Sequence, residues 1–242
     1  LGGWRYIAAL VGVYLFITST VFYFAYRPPK QMVKDNSEDP FTPSRKIARA
    51  LEEAKNCPVF LKMVILVIPV SIFALGVQNF IPAFVVEARG YTEGFGNIIY
   101  VVFMGLATVG KTLSGGLVDR KGFRWAFMFQ VWLILLGLIL FSQVPGLWAL
   151  SLGIILIAPP RGGLYTVMHA KLLDSAPAES VDLLYGLFTV SLTVFGAIGP
   201  GLLGSLIDNI GFKWSFVVSL FVVLTTIPII FYVGSSNSQD SE

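Results

Sequence analysis

Residues 115–124 read Gly115-Gly116-Leu117-Val118-Asp119-Arg120-Lys121-Gly122-Phe123-Arg124, a charged hairpin set between two apolar runs. The runs cover roughly 96–118 and 125–143, each close to the length that a helix needs to cross a bilayer. A charged turn between two such runs belongs at a membrane surface. Backbone amides in lipid can pair only with one another, so the flanking runs must be helical. The alternating pattern of a membrane barrel is missing.

Working outward, further runs lie at roughly 6–26, 61–86, 147–169, 183–207 and 213–233. The sequence therefore predicts an all-α polytopic membrane protein with seven transmembrane helices. It divides into a first helix in 1–27, a connection at 28–60, a six-helix bundle at 61–233 and a polar, disordered tail at 234–242. Composition agrees. Of 242 residues 55% are hydrophobic and 13% charged, with mean hydropathy +0.77. Soluble domains carry about 25% charged residues, so a soluble enzyme is excluded. The first apolar run starts almost at residue 1, without a basic leader or a small-residue cleavage site, so it reads as a spanning helix and not a signal peptide. With Leu1 in place of Met, the sequence is read as that of a chain whose true beginning is expected upstream.

Lys and Arg placement orients the chain. With the N-terminus outside, the inner connections hold Arg27, Lys30, Lys34, Arg45, Lys46, Arg49, Lys55, Lys62, Arg120, Lys121, Arg124 and Lys171. The outer ones hold Arg5, Arg89 and Lys213, a strong positive-inside bias. This puts 28–60 and the C-terminus in the cytoplasm. The net charge of +3 and pI near 9.0 express that topology and imply no nucleic-acid partner. Within 28–60, Ser44 can cap a helix with Ile47, Ala50, Leu51 and Ala54 on one face and Arg45, Lys46, Arg49 and Lys55 around it. Such a helix lies along the inner membrane surface or serves as a solvated linker.

A single cysteine, Cys57, excludes an internal disulfide, and one His with no acidic cluster around it predicts no metal. No nucleophile–base pair occurs. Gly110-Lys111-Thr112 lacks the first glycine of a phosphate-binding loop and sits inside a span, so no nucleotide or other cofactor is expected.

The tetrads Gly3-Trp4-Arg5-Tyr6, Gly122-Phe123-Arg124-Trp125 and Gly211-Phe212-Lys213-Trp214 share one pattern, and each leads into an apolar run. Their spacing is that of a three-helix unit repeated with alternate copies inverted. The 115–124 hairpin resembles the loop signature of the major facilitator superfamily, Gly-x-x-x-Asp-Arg/Lys-x-Gly-x-Arg, matching it from Gly115. Gly115 and Gly116 allow close helix approach, Asp119 is expected to end the helix, and Arg120 and Arg124 hold the turn inside. The resemblance implies that Gly115, Gly116, Asp119, Arg120, Gly122 and Arg124 form a conformational-gating motif. It also maps the chain onto family helices six to twelve, with 28–60 as the central cytoplasmic loop and the N-terminal half as an absent partner. The implied activity is movement of a small solute across the plasma membrane by alternating access.

A charge near the bilayer centre is expensive and faces a cavity or a partner. Lys111 lies about 12 Å and Arg161 about 15 Å above the inner surface, counted from Asp119 and Lys171. No Asp or Glu lies deep in any span, so both point to an organic or inorganic anion as substrate. Each has another reading. Lys111 can snorkel to the interface, and Arg161 can cap carbonyls freed where Pro159 and Pro160 break the helix. Arg161, Tyr165 and His169 form a polar stripe at i, i+4 and i+8. Gln78 and Asn79 point different ways, so one at most faces a cavity, and Tyr185, Thr189 and Thr193 are spaced to line a pocket or to pack. The alternatives are a multidrug or hydrophobic-solute exporter, with an aromatic pocket, and a seven-helix receptor or scaffold.

Overall fold

A computed structural model of the chain describes Val13, Phe16, Ile17, Thr20 and residues 51–177 and 180–234. The chain divides into two units, Leu1–Lys46 and Ile47–Glu242. In the first unit Val13, Phe16, Ile17 and Thr20 are helical, and Thr20 Oγ1 donates to the Phe16 carbonyl at 2.7 Å. The first tetrad, Ser44 and the tail beyond 234 lie outside the described residues.

The second unit opens with a helical turn at 51–56, where Ala54 is buried and Leu51 exposed. Then follow α1 (Pro58–Ala83), extended by a π-helical turn over Phe84–Ala88, α2 (Glu93–Lys121) and α3 (Phe123–Gln143). The order continues with α4 (Leu147–Ser175), α5 (Val181–Leu224) and α6 (Thr226–Gly234). No strand occurs among the described residues. Five stretches are long and apolar enough to cross a membrane: Pro58–Ala88, Glu93–Lys121, Phe123–Gln143, Leu147–Ser175 and Val181–Val233. The last has 53 residues, about 80 Å as a straight helix against a hydrocarbon core of about 30 Å. It is not straight: Gly211 sits at φ 76° and ψ 166°, outside helical space, and separates limbs at 181–210 and 212–224. The two runs expected at 183–207 and 213–233 are thus joined through one residue.

Gly122 makes the same elbow. At φ 79° and ψ 164° it ends α2, donating to the Val118 carbonyl at 2.8 Å, and its own carbonyl accepts from Ala126 at 3.1 Å in the first turn of α3. This region of backbone space is essentially reserved for glycine. Asp119, expected to stop the helix, lies within α2, because the chain has no reason to leave helical geometry until Gly122. Two of the three tetrads therefore share a helix–glycine–helix joint. The other end of α2 is capped by Thr92, whose Oγ1 accepts from the Phe95 amide at 3.3 Å.

Small residues set the helix crossings, as expected where lipid removes any hydrophobic drive between helices. Between α2 and α4, a Cβ on Gly110 would fall on the Pro159 backbone, one on Gly162 on the Ala107 carbonyl, and one on Gly163 on Ser114 Oγ. Between α1 and α5, a Cβ on Gly76 would lie 3.1 Å from the Gly199 oxygen. Pro159 and Pro160 do not break α4, contrary to expectation; the helix runs through both. A spanning helix tolerates such gaps when neighbouring elements surround the freed carbonyls, and α2 packs directly on Pro159 here.

At one end of the bundle Phe84, Phe141 and Phe216 pack with centroids 4.7, 5.0 and 5.7 Å apart, joining α1, α3 and α5. Just past the π-helical turn, Arg89 donates to the carbonyls of Phe141 and Val144 at 2.5 and 2.8 Å. It thereby satisfies acceptors that the end of α3 leaves open.

Candidate functional site

Four helices meet at a cavity of about 390 Å³ lined by Leu75 of α1, Lys111 of α2, Tyr165, Thr166 and His169 of α4, and Thr189, Leu192 and Thr193 of α5. Lys111 is exposed on its wall. The helical repeat of α4 puts Tyr165 and His169 one turn apart on the same side. His169 Nδ1 lies 2.7 Å from the Tyr165 carbonyl, and Nε2 lies 3.5 Å from Thr189 Oγ1. Its ring packs on Tyr185, with centroids 4.7 Å apart, and edge-on to Phe188 at 5.2 Å. Thr189 and Thr193 send their own protons back to the carbonyls of Tyr185 and Thr189, at 2.9 and 3.0 Å. Their oxygens remain acceptors toward the cavity.

Arg161 does not line this cavity. It is 9% exposed, its guanidinium carbon lies 5.5 Å from the Tyr165 ring centroid, and Nε has no hydrogen-bond partner. The cation thus lies over the Tyr165 ring and off the lining of the Lys111 cavity. A cation over an aromatic face is favourable when desolvated. Among the described residues the buried charged side chains are Arg161 and Lys171, both cations.

The two amides diverge as their adjacency requires. Gln78 is buried and its Nε2 donates to the Tyr100 hydroxyl at 3.1 Å, while Oε1 has no partner; Asn79 is exposed. Neither reaches the cavity. The structure therefore brings together Lys111, Tyr165, His169, Thr189 and Thr193, keeps Arg161 off that lining, and leaves Gln78 and Asn79 apart.

Gly115, Gly116, Asp119 and Arg120 lie in the last turns of α2, Gly122 at the elbow and Arg124 at the start of α3. A second cavity, of about 880 Å³, opens here between the elbow and the end of α4, with Asp119, Lys121, Arg124, Lys171 and Asp174 on its wall. Cβ atoms on Gly115 and Gly116 would meet nothing within 4 Å. Close approach at these two glycines, expected from the sequence, is thus absent within this unit. Sequence reading also missed Tyr100, which pairs with Gln78, and Gln130, an amide inside the apolar run of α3. The rule that singled out Lys111, a polar group deep in a span, would have found Gln130 as well.

No group of three or more metal-ligating side chains occurs among the described residues. The fold and this site define a helical membrane bundle with a polar, cation-bearing cavity between its helices. The family model of the Major Facilitator Superfamily matches residues 1–157 and 81–241. The chain belongs to that superfamily, and with it to a class of membrane transporters. It is similar to the MFS-type transporter astH of Aspergillus oryzae, 26% identical over 116 residues, or 48% of this chain and 21% of that protein. Among solved structures it is similar to a bacterial homologue of the human lysosomal transporter Spinster, in an inward-facing and unoccupied conformation. That match has TM-score 0.66 and 13% identity, covering 96% of this chain and 59% of the other. A mutant peptide transporter POT in complex with alafosfalin also has TM-score 0.66, at 16% identity, with 72% and 39% covered. The chain thus spans about a fifth of that relative and 39–59% of those structures.

Proposed function

We propose that this chain supplies the second half of a secondary active or facilitative transporter, which moves a small organic or inorganic anion by alternating access. The observation that carries the reading is the cavity where Lys111, His169, Tyr165, Thr189 and Thr193 converge, with Arg161 over the Tyr165 ring and no buried acid among the described residues. A buried cation needs an opposite charge or hydrogen bonds to offset its desolvation, and a carboxylate or oxyanion provides both. In this reading Lys111 contacts the anion, the threonine oxygens and His169 orient it, and Arg161 raises the local positive potential from its place over the Tyr165 ring.

In this reading the elbow at Gly122 faces the cytoplasm, which the basic residues around it favour. Its charged cavity is a seat for the partner half in one state and is vacated in the other. Gly115 and Gly116, open on their outer side, let that half approach closely. Membership of a transporter family leaves the receptor or scaffold reading without support.

The test uses the full-length protein in liposomes, with radiolabelled lactate, citrate and inorganic phosphate as probes. Hydrogen bonds to charged groups contribute about 1.5–3 kcal/mol. Lys111→Gln is therefore expected to lower uptake of the transported anion about tenfold or more at subsaturating concentration, and Arg161→Gln, which acts through its field and not by contact, to lower it by less. Undiminished uptake of every transported anion in both variants refutes the anion reading. It would favour instead the hydrophobic-solute exporter, for which the ring of Tyr165 lines the cavity.

A further inference from the structure

Hydrogen bonding divides the wall of the Lys111 cavity into two kinds of group. Lys111 of α2 can only donate, and the hydroxyls of Tyr165 and Thr166 of α4 can turn either way. Where α4 faces α5, the protons are committed elsewhere. Thr189 Oγ1 donates to the Tyr185 carbonyl at 2.9 Å, and Thr193 Oγ1 to the Thr189 carbonyl at 3.0 Å. His169 Nδ1 lies 2.7 Å from the Tyr165 carbonyl, which can only accept. That nitrogen therefore carries the ring proton, and Nε2 of the neutral ring is left with a lone pair. Nε2 and Thr189 Oγ1 then stand 3.5 Å apart with no proton between them. Thr189 and Thr193 are both exposed on the cavity wall. Three acceptors thus converge on the cavity that Lys111 also lines, and none has a side-chain proton left to give.

A simple carboxylate brings acceptors alone. It would satisfy Lys111 and leave the three acceptors opposite unpaired, which is costly once the solute has displaced water. We propose, on the reading of this cavity as an anion site, that its solute is a hydroxylated carboxylate. The carboxylate pairs with Lys111, and hydroxyls on the following carbons donate to His169 Nε2, Thr189 Oγ1 and Thr193 Oγ1. One such hydroxyl fits the place where Nε2 and Thr189 Oγ1 face each other without a proton. An ammonium would also bring protons, but with Lys111 on the same wall and no buried acid among the described residues a second cation is unfavourable there. The volume of about 390 Å³ lies within the usual range of small-molecule sites.

Calorimetric binding to the purified full-length protein in nanodiscs tests it, with acids that differ only in their hydroxyls: lactate against propionate, and gluconate against hexanoate. Sorbitol, which has hydroxyls and no charge, and 6-aminohexanoate, which has an ammonium in place of hydroxyls, are the other probes. One neutral hydrogen bond corresponds to about fivefold in affinity. Lactate should therefore bind about fivefold more tightly than propionate, and gluconate, reaching two or more acceptors, about 25-fold more tightly than hexanoate. Thr189→Val, Thr193→Val and His169→Phe should each cut the gluconate–hexanoate ratio about fivefold, whereas Thr189→Ser and Thr193→Ser, which restore an acceptor, should keep it. Lys111→Gln should weaken both acids about tenfold or more and preserve the ratio. Equal affinity within both pairs, or a ratio that survives all three acceptor-removing variants, overturns the proposal; a loss of both acids in Lys111→Gln would still uphold the anion reading. Preference for 6-aminohexanoate over gluconate overturns the choice of hydroxyl. Sorbitol bound as tightly as gluconate, or binding of none of the acids, overturns the anion reading and the proposal with it.

Discussion

Replacing Gly162 by Ala tests whether the α2–α4 crossing is set by backbone contact. A methyl group there would fall on the carbonyl of Ala107, well inside the 3.4 Å at which ordinary contact begins. The obstacle is backbone, so no rotamer change relieves it and the helices must separate. Overpacking a close-packed site typically costs about 1–3 kcal/mol, and a rigid obstacle puts Gly162→Ala near the upper end. Exchanging Gly for Ala inside a helix returns about 0.5–1 kcal/mol, leaving a net loss of about 2 kcal/mol. Gly105→Ala is the control. It lies on the exposed side of the same α2, where a Cβ meets nothing within 4 Å, so only the gain applies. The two variants should therefore differ by about 3 kcal/mol, with Gly162→Ala melting several degrees below Gly105→Ala. Thermal unfolding of the full-length protein in detergent, followed by fluorescence-detected size exclusion, reads that difference. Equal melting of the two variants would show that the crossing is not limited by the Gly162–Ala107 contact.

Gly122→Ala and Gly211→Ala should each cost about 1–3 kcal/mol in the same assay. Their Cβ atoms meet nothing within 4 Å, so loss of stability there reports backbone strain alone, and an unchanged melting temperature would contradict the elbow geometry. Arg89→Gln removes the donors to the Phe141 and Val144 carbonyls; because Arg89 is partly exposed, screening reduces the expected loss to about 1 kcal/mol. Gln130→Leu replaces an unsatisfied buried amide with an apolar group and should stabilise the protein by about 1 kcal/mol; destabilisation would mean that the amide has a protein partner.

The course of the helices was legible because lipid leaves the backbone one solution, and hydropathy reports that solution directly. The 115–124 hairpin gave the turn its place between α2 and α3. It did not give the turning residue. Asp119 is a common helix breaker by propensity, but propensity is a weak prior, and the positive φ of Gly122 decides the matter. The same reasoning explains Gly211, where two expected spans share one glycine in place of a loop. Pro159 and Pro160 misled for the opposite reason. Their cost is set by what surrounds the freed carbonyls, and the packing of Gly110 and Gly162 against Pro159 and Ala107 is a tertiary fact that no local pattern records.

At the site, helical periodicity was enough to align Tyr165 with His169 and Thr189 with Thr193, since three- and four-residue steps share a face. It could not say which helices would meet, and so placed Lys111 and Arg161 together in one pocket by depth alone. Depth fixes height in the membrane but not azimuth around the helix. Arg161 shares the stripe of Tyr165 and His169, yet it starts that stripe where α4 is pressed closest to α2, beside Gly162 and Gly163. The guanidinium there lies over the Tyr165 ring and is not on the lining of the Lys111 cavity. An aromatic face is a weaker complement than a carboxylate. That a cation is set there with no buried acid among the described residues is what supports the proposal of an anionic solute.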